Sequence, residues 1–194
     1  MLRVGITGGI ASGKSFVASM FEALGIPVYY ADREAKRLIA TETDMIRNIR
    51  KLLGEKAYSE DGRYNTKYVA AIVFNDREKL MALNRIVHPR VKADYMSWHE
   101  CQEAPYTLHE SALIYEGGFS PLMDKIIVVT APEDVRISRL MSRDHITEEQ
   151  AMRKISSQMP EQEKIDMADF VIHNDGKRLL IDQVWAVHIW LKNQ

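Results

Sequence analysis

Residues 8–15 read G-G-I-A-S-G-K-S and fit G-x-x-x-x-G-K-[ST], the pattern of a loop that binds phosphate. A mostly apolar run at 2–6 precedes the loop, as expected of a buried strand. Apolar side chains then recur at helical spacing over 17–24, and Gly25 supplies a helix stop. Strand, glycine-rich loop and helix thus follow one another in the order that the motif requires. A turn that binds nothing would not need this context, so we predict a nucleotide-binding loop.

The residue types within the loop have specific chemical roles. Glycine lets backbone N–H groups turn toward phosphate oxygens, and the helix that follows presents its positive end to the same anion. Lys14 is predicted to reach the β- and γ-phosphates, and the hydroxyl of Ser15 is predicted to hold Mg²⁺. The residues predicted to bind the nucleotide here are Gly8, Gly9, Ile10, Ala11, Ser12, Gly13, Lys14, Ser15 and Phe16.

Composition narrows the class of protein further. The net charge of −1 offers no general attraction to nucleic acid or anionic lipid. The single cysteine, Cys101, cannot form an internal disulfide, as is typical of a reducing compartment. No apolar run approaches the roughly 20 residues of a membrane span, and the N-terminus does not have the pattern of a signal peptide. We therefore expect a cytoplasmic protein with a small-molecule substrate and neither nucleic-acid nor membrane partners. The sequence does not indicate the oligomeric state.

Four further strands and a series of helices alternate along the chain. Apolar runs predict strands at 27–30, 106–110, 126–130 and 170–173, with helices between them. This alternation is typical of an α/β fold in three layers, with a five-stranded parallel sheet and right-handed crossovers. The length of 194 residues suits a single domain over 1–194.

Two parts of the chain exceed what a plain crossover needs. Helical patterns between the second and third strands predict a helical, substrate-binding insertion at approximately 33–103. Within it, His88-Pro89 predicts the start of a new helix, because proline is favoured at the first helical position. The segment at approximately 136–165 is charged and poor in large apolar residues, and we interpret it as a helical lid over the nucleotide. A helix from Pro132 to about 143 leads into it, and a capping box at 147–150 opens the next helix.

Asp32 is the first candidate for chemistry outside the loop. It comes at the carboxyl end of the second strand, where ligands gather in open α/β sheets. A carboxylate beside a bound phosphate and Mg²⁺ can orient a substrate hydroxyl and accept its proton. The alternative is that Asp32 merely caps a helix, which aspartate commonly does.

Arginine residues form the second candidate group. Arg136, Arg139 and Arg143 share one face of a predicted helix, and guanidinium groups are suited to the charge that develops during phosphoryl transfer. Arg139 and Arg143 are the stronger candidates. The alternative is a solvated helix face with ordinary ion pairs.

Other candidates keep two interpretations each. His88 is either a substrate contact or a helix cap. Glu110 and Glu116 flank the third strand, where P-loop proteins often place a metal-directed acid, and the sequence does not indicate which one, if either, has this role. The remaining histidines lack metal-ligand spacing and are predicted to be structural. The three tryptophans are predicted to be packing residues: Trp98, Trp185 and Trp190.

With these residues in place, the chain resembles the dephospho-CoA kinases over nearly its whole length. The shared motifs follow one another in order: the phosphate-binding loop at Gly8–Ser15, Ala31-Asp32 after the second strand, Asp61-Gly62, His88-Pro89, Leu113-Ile114-Tyr115-Glu116, Arg139-Leu140 with Arg143-Asp144, Gln158, Lys164, Ala168-Asp169 and Asn174. The sequence departs from the family pattern at four positions, where it has Phe16, Tyr30, Thr66 and Ala112.

The resemblance implies a P-loop kinase of the nucleoside-monophosphate-kinase type. Such an enzyme would use ATP and Mg²⁺ to phosphorylate the ribose 3′-hydroxyl of dephospho-CoA, the final step of coenzyme A biosynthesis. It also implies roles for residues in this chain. The implied catalytic residues are Lys14, Asp32, Arg139 and Arg143; Asn174 would join these arginines and the loop around the nucleotide; the implied substrate contacts are Asp32, Lys36, His88 and Glu116.

Three alternatives differ from this in function. A nucleoside or nucleotide kinase on the same fold would carry the same loop with a smaller acceptor. A dinucleotide-binding oxidoreductase needs G-x-G-x-x-G, but Thr7 stands where the second glycine belongs and Lys14 would have no role. A nucleotide switch without catalysis would not need Lys14, Asp32 and the arginines together.

Overall fold

The computed structural model describes all 194 residues of the chain. Two units can be distinguished, one formed by Met1–Tyr30 with Cys101–Gln194 and the other by Ala31–Glu100. The strands are β1 Leu2–Thr7, β2 Val28–Tyr30, β3 Tyr106–Glu110, β4 Lys125–Thr130 and β5 Phe170–His173; the helices are α1 Lys14–Ala23, α2 Ala31–Thr41, α3 Thr43–Leu53, α4 Thr66–Val73, α5 Arg77–Glu100, α6 Glu133–Asp144, α7 Glu148–Ser156, α8 Glu161–Asp166 and α9 Leu180–Lys192.

All five strands lie in one sheet of the first unit. Their order is β2-β3-β1-β4-β5, and every neighbouring pair is parallel. The predicted five-stranded parallel sheet of an α/β fold is therefore confirmed. Since β1 has neighbours on both sides, the loop that follows it lies near the middle of the sheet, beside the carboxyl ends of β3 and β4. This placement is the usual location of a ligand site in open α/β sheets.

The core of the first unit lies between one face of this sheet and two helices. Val17 and Phe21 of α1 and Val184 of α9 are fully buried against it. Within this core, the Tyr106 hydroxyl and His188 Nδ1 are 2.7 Å apart in a buried hydrogen bond that joins β3 to α9.

The other face of the sheet carries an aromatic cluster. Because side chains alternate along a strand, His109 points away from the face that Leu108 occupies. The His109 ring stacks on Tyr29 and contacts Phe119, with ring centroids 5.5 and 5.0 Å apart. Burial lowers the pKa of His109 to about 4, so the ring is neutral near pH 7. This agrees with a structural role for this histidine.

The second unit is helical and contains α2 to α5. The buried residues of α5 are Leu83, Val87, Val91, Tyr95 and His99, which recur every four residues and form one stripe. Helix α5 packs against α2, α3 and α4 along its length.

Pro89 does not start a helix, and that prediction was wrong. It lies inside α5, which runs without interruption from Arg77 to Glu100. A proline in this position removes one backbone hydrogen bond and strains the preceding turn, at a cost of about 3 kcal/mol. The buried stripe of α5, which continues on both sides of Pro89, offsets this cost. Tertiary packing has overridden the local preference of proline.

The C-terminal helix α9 also differs from expectation in one respect. Trp185 and Trp190, predicted to be packing residues, are 51% and 40% exposed, although their rings contact His188 and Phe170 with centroids 5.7 and 5.0 Å apart. The buried face of α9 is formed instead by Val184, Val187 and Leu191, together with His188. No helix of the chain has the length and apolar character needed to cross a membrane.

Candidate active site

The loop between β1 and α1 has the backbone conformation that its glycines permit. Gly13 has a φ of 93°, in the left-handed region, and a Cβ atom built there would collide with the amide nitrogen of Asn174. Ala11 also has a positive φ, of 62°, although it carries a side chain. Helix α1 begins at Lys14, directly after Gly13, so its N-terminal N–H groups open onto the loop.

A cavity of about 240 Å³ lies over this loop. It brings together most of the residues that the sequence predicted to bind the nucleotide, including the two stronger arginine candidates. Its walls are formed by Gly9, Ala11, Ser12, Gly13, Lys14, Ser15, Phe16, Arg139 and Arg143. A concave cluster of backbone N–H groups, one lysine and two arginines is chemically suited to polyphosphate.

Glu110 stands at the end of β3 and contacts two residues of the loop. Its Oε1 atom accepts a hydrogen bond of 2.9 Å from the Ser15 hydroxyl and lies 3.0 Å from the Lys14 ammonium. Glu110 is only 3% exposed, so Lys14 compensates a charge that would otherwise be buried alone. The sequence did not decide between Glu110 and Glu116 as a metal-facing acid. The structure places Glu110 against the loop.

Glu116 is engaged elsewhere. Its Oε1 atom lies 2.8 Å from the ammonium of Lys164 and accepts a hydrogen bond of 3.2 Å from the Met159 N–H. Lys164 is fully buried and also donates to the carbonyl of Ala112 at 3.0 Å. Glu116 and Lys164 therefore connect the segment after β3 to the segment that contains α8.

The three arginines of α6 occupy different environments. Arg139 lies against the loop itself, donating at 3.3 Å to the carbonyls of Ala11 and Ser12, and at 3.4 Å to the Asn174 side chain. Asn174 in turn donates to the Ser12 carbonyl at 2.8 Å. Arg143 is exposed and paired with Asp144, and this pairing raises the pKa of Arg143 above its ordinary value. Arg136, in contrast, is buried.

The remaining predicted residues belong to the second unit. Asp32 lies in the first turn of α2, which begins at Ala31, so the structure places it inside the helix and not at the capping position. Its side chain and that of Lys36 on the same helix are exposed. His88 is partly exposed on α5, and burial is the main reason that its pKa is lowered.

Gln158 contacts the loop, although its position in the sequence does not indicate this role. The Oε1 atom of Gln158 accepts a hydrogen bond of 2.8 Å from the backbone N–H of Ile10. Gln158 belongs to the motifs shared with the dephospho-CoA kinases, but spacing alone could not connect it with the loop.

The left-handed conformation of Ala11 leads to a stability prediction. For a residue with a side chain this conformation costs about 1–2 kcal/mol, whereas a glycine costs about 0.4–1 kcal/mol more than alanine through the entropy of the unfolded chain. Ala11→Gly is therefore expected to raise the free energy of unfolding by up to about 1 kcal/mol, measured by urea denaturation. Ala71→Gly, at an exposed position of α4, is the control and is expected to lower it by about 0.5–1 kcal/mol. Destabilisation by both variants would contradict strain at Ala11.

The comparison with known proteins decides the family. A family model described as dephospho-CoA kinase matches residues 2–179. The chain belongs to the dephospho-CoA kinase family. A dephospho-CoA kinase from Bacteroides fragilis is 39% identical over 184 residues, covering 94% of this chain and 89% of that protein. The membership makes this chain a kinase and does not favour the alternative of a nucleoside or nucleotide kinase.

Solved structures share the fold of this chain. The crystal structure of TT1252 from Thermus thermophilus superposes with a TM-score of 0.86 at 31% identity, covering 97% of this chain and 96% of that one. A dephospho-CoA kinase from Campylobacter jejuni has a TM-score of 0.62 at 23% identity, covering 99% and 98% of the two chains, and shares the fold.

Proposed function

We propose that this chain transfers the γ-phosphate of ATP to the 3′-hydroxyl of the ribose of dephospho-CoA, which completes coenzyme A. The observation that carries the proposal is the convergence on one cavity of a glycine-rich loop, the Lys14 ammonium and two arginines, in a chain of this family. Phosphoryl transfer requires little covalent chemistry from a protein. It requires positioning and positive charge around the moving phosphoryl group, which this cavity supplies.

The residues around Ser15 fit a magnesium ion. Mg²⁺ prefers hard oxygen ligands, and it is usually bound by one or two carboxylates together with substrate phosphates and water. The Ser15 hydroxyl and the Glu110 carboxylate, 2.9 Å apart, form a donor set of this kind. We assign Ser15 to the metal and Glu110 to the metal or its water ligands. A bound Mg²⁺ would supply charge neutralisation on the phosphates, and we assign the Lys14 ammonium to phosphate oxygens.

We assign Arg139 and Arg143 different tasks. Arg139 bonds to two loop carbonyls and to Asn174, so it orders the nucleotide-binding surface and presents its remaining N–H groups to the cavity. Arg143 is mostly exposed and held only by its neighbour Asp144. Its guanidinium, which is itself exposed, can leave Asp144 at little cost and move onto the phosphates when the segment at 136–165 acts as a lid.

Asp32 is proposed as the general base, which orients the ribose hydroxyl and accepts its proton. Two observations support this role. Asp32 lies inside the first turn of α2 and does not cap the helix. It also matches the acid that follows the second strand in the family. Lys36 and His88, within an insertion at approximately 33–103, and Glu116, after β3, are proposed substrate contacts on the strength of the resemblance. We propose that the enzyme works in the cytoplasm.

The proposed activity is tested by comparing acceptors. Purified protein with ATP and Mg²⁺ is expected to release ADP rapidly only when dephospho-CoA is added, with the new phosphate on the ribose 3′-oxygen by ³¹P NMR. AMP, CMP and dTMP serve as matched acceptors and are expected to support at least about 100-fold lower kcat/KM, since they lack the rest of the substrate that supplies binding energy. Faster phosphorylation of any of these nucleotides would overturn the assignment in favour of a nucleotide kinase.

Arg143→Ala tests whether this arginine acts on the phosphates. An exposed arginine contributes little to folding, so the free energy of unfolding is expected to change by less than about 0.5 kcal/mol. Turnover is expected to fall roughly 10- to 100-fold, because one guanidinium is lost from the transfer site. Arg153→Ala is the control, since Arg153 is an exposed partner of Glu149 on α7. Equal kinetic parameters for both variants would show that Arg143 belongs only to a solvated face.

A further inference from the structure

The backbone of Ile10, in the middle of the phosphate-binding loop, is held on both sides by side chains from distant parts of the chain. Its N–H donates to Gln158 Oε1 at 2.8 Å, and its carbonyl accepts from Arg136 Nε at 3.0 Å. The two bonds involve consecutive peptide groups, so they restrain the rotation of both planes. Ala11, which follows directly, has the strained φ of 62°. A strained residue persists where its surroundings over-determine it, and this pair of bonds does so.

The Arg136 side chain is buried at this position and does not extend into solvent. Its side chain is 5% exposed, and its Nη1 atom lies 3.2 Å from Glu161, which neutralises the buried charge. The guanidinium also covers Gly9 closely. A Cβ atom added at Gly9 would lie 2.6 Å from Arg136 Cζ, so a side chain at position 9 would collide with the arginine. Arg136 is absent from the cavity over the loop, unlike Arg139 and Arg143.

Gln158 reaches Ile10 from the connection between α7 and α8. Arg136 and Gln158 also share the wall of a second cavity, of about 720 Å³, formed by α6, α7 and the start of α8. The two side chains therefore come from the segment at 136–165, whereas the peptide that they hold belongs to the loop. Neither side chain makes a hydrogen bond to another backbone group of the loop.

We propose that Arg136 and Gln158 are positioning residues that hold the Ile10 peptide groups and thereby keep the phosphate-binding loop in its binding conformation. The proposal deepens the proposed function, because it names residues that set the affinity of the same site for nucleotide. The two residues touch no reacting atom. Their loss should therefore change nucleotide binding and leave the chemical step nearly intact.

Gln158→Leu removes the acceptor while keeping the approximate size of the side chain. One net hydrogen bond corresponds to roughly a three- to tenfold change in an equilibrium constant, so the Kd for ADP, measured calorimetrically, is expected to rise by about that factor. The KM for ATP should rise in parallel, with kcat changed less than about twofold. Exchange of the Ile10 amide hydrogen, followed by ¹⁵N NMR without nucleotide, should become at least severalfold faster.

Two further variants separate positioning from a general structural effect. Gln158→Glu keeps an acceptor oxygen at the same reach and is expected to restore the slow exchange of the Ile10 amide. Gln162→Leu is the control, because Gln162 lines the same second cavity but donates only to Asp166. It should leave both the Kd for ADP and the Ile10 exchange unchanged. Equal effects of Gln158→Leu and Gln162→Leu, or no effect of either, would overturn the proposal.

Arg136 is tested in a cycle with Gln158. Because Arg136→Met alone would leave the partly buried Glu161 carboxylate without its cationic partner, the variant used is Arg136→Met with Glu161→Gln. If both side chains act together on the two peptide groups of Ile10, adding Gln158→Leu to this variant should weaken ADP binding less than it does in the wild type. Fully additive effects would show that the residues act independently. ADP binding is measured without an acceptor. The results therefore test this proposal even if the protein does not phosphorylate dephospho-CoA.

Discussion

Lys14→Ala is expected to lower turnover by roughly 10²–10³-fold or more at saturating substrates. The ammonium is a preorganised positive charge at the cavity over the loop, and loss of one such donor typically costs about 2.7–4 kcal/mol of transition-state stabilisation. The measurement is steady-state ADP release with dephospho-CoA as acceptor. Near-normal turnover would contradict the proposed mechanism at its central residue.

The same variant is also expected to be less stable, for a reason separate from catalysis. Lys14 is 3.0 Å from Glu110, whose side chain is 5% exposed, and its removal leaves this carboxylate with the Ser15 hydroxyl as its remaining partner. A second substitution, Glu110→Gln, removes the uncompensated charge. Lys14→Ala with Glu110→Gln should recover most of the lost unfolding free energy but none of the turnover. Recovery of turnover would show that the single variant was merely unfolded.

The order of secondary structure could be predicted from sequence because each element has a local cause. Apolar runs placed the five strands, and the capping box at Thr147 and Gln150 forms in the structure as its spacing predicted. The prediction of a helix start at Pro89 was wrong because the local preference of proline does not take account of the buried stripe of α5. That stripe is visible in the sequence as apolar residues at every fourth position, and it crosses the proline.

The site was predictable where one segment contains all its parts and less so where distant segments meet. The loop residues follow from a continuous motif. The contacts of Glu110 depend on parallel pairing of β1 with β3, which sets Ile6 opposite Glu110 and so places the carboxylate beside the loop. Glu116, six positions later, lies past a turn and meets Lys164 instead. Helical spacing grouped three arginines, but only the fold distinguishes Arg136, whose buried guanidinium lies between the Ile10 carbonyl and Glu161.

Asp32→Asn is expected to lower turnover roughly 10²–10⁴-fold, the usual range for loss of a general base. Asparagine keeps the size and a hydrogen-bond acceptor but does not take up the proton of the ribose hydroxyl. The Kd for ATP, measured calorimetrically, should stay within about twofold, because the phosphate-binding loop is unchanged. A helix prefers acidic residues in its first turn, so a loss of about 0.3–1 kcal/mol in unfolding free energy is expected as well.

Asp44→Asn is the matched control for this small loss of stability. Asp44 lies in the first turn of α3, on the same helical unit, and is also exposed. Asp44 also pairs with Arg47 at 2.8 Å, so Asp44→Asn should lose at least as much unfolding free energy as Asp32→Asn, while only Asp32→Asn should lose turnover. Glutamate at position 32 restores a carboxylate on a longer side chain, so Asp32→Glu should recover part of the rate if proton acceptance is the role of this residue. Comparable turnover of Asp32→Asn and Asp44→Asn would contradict the assignment of a base and leave Asp32 as an acid that only stabilises the start of α2.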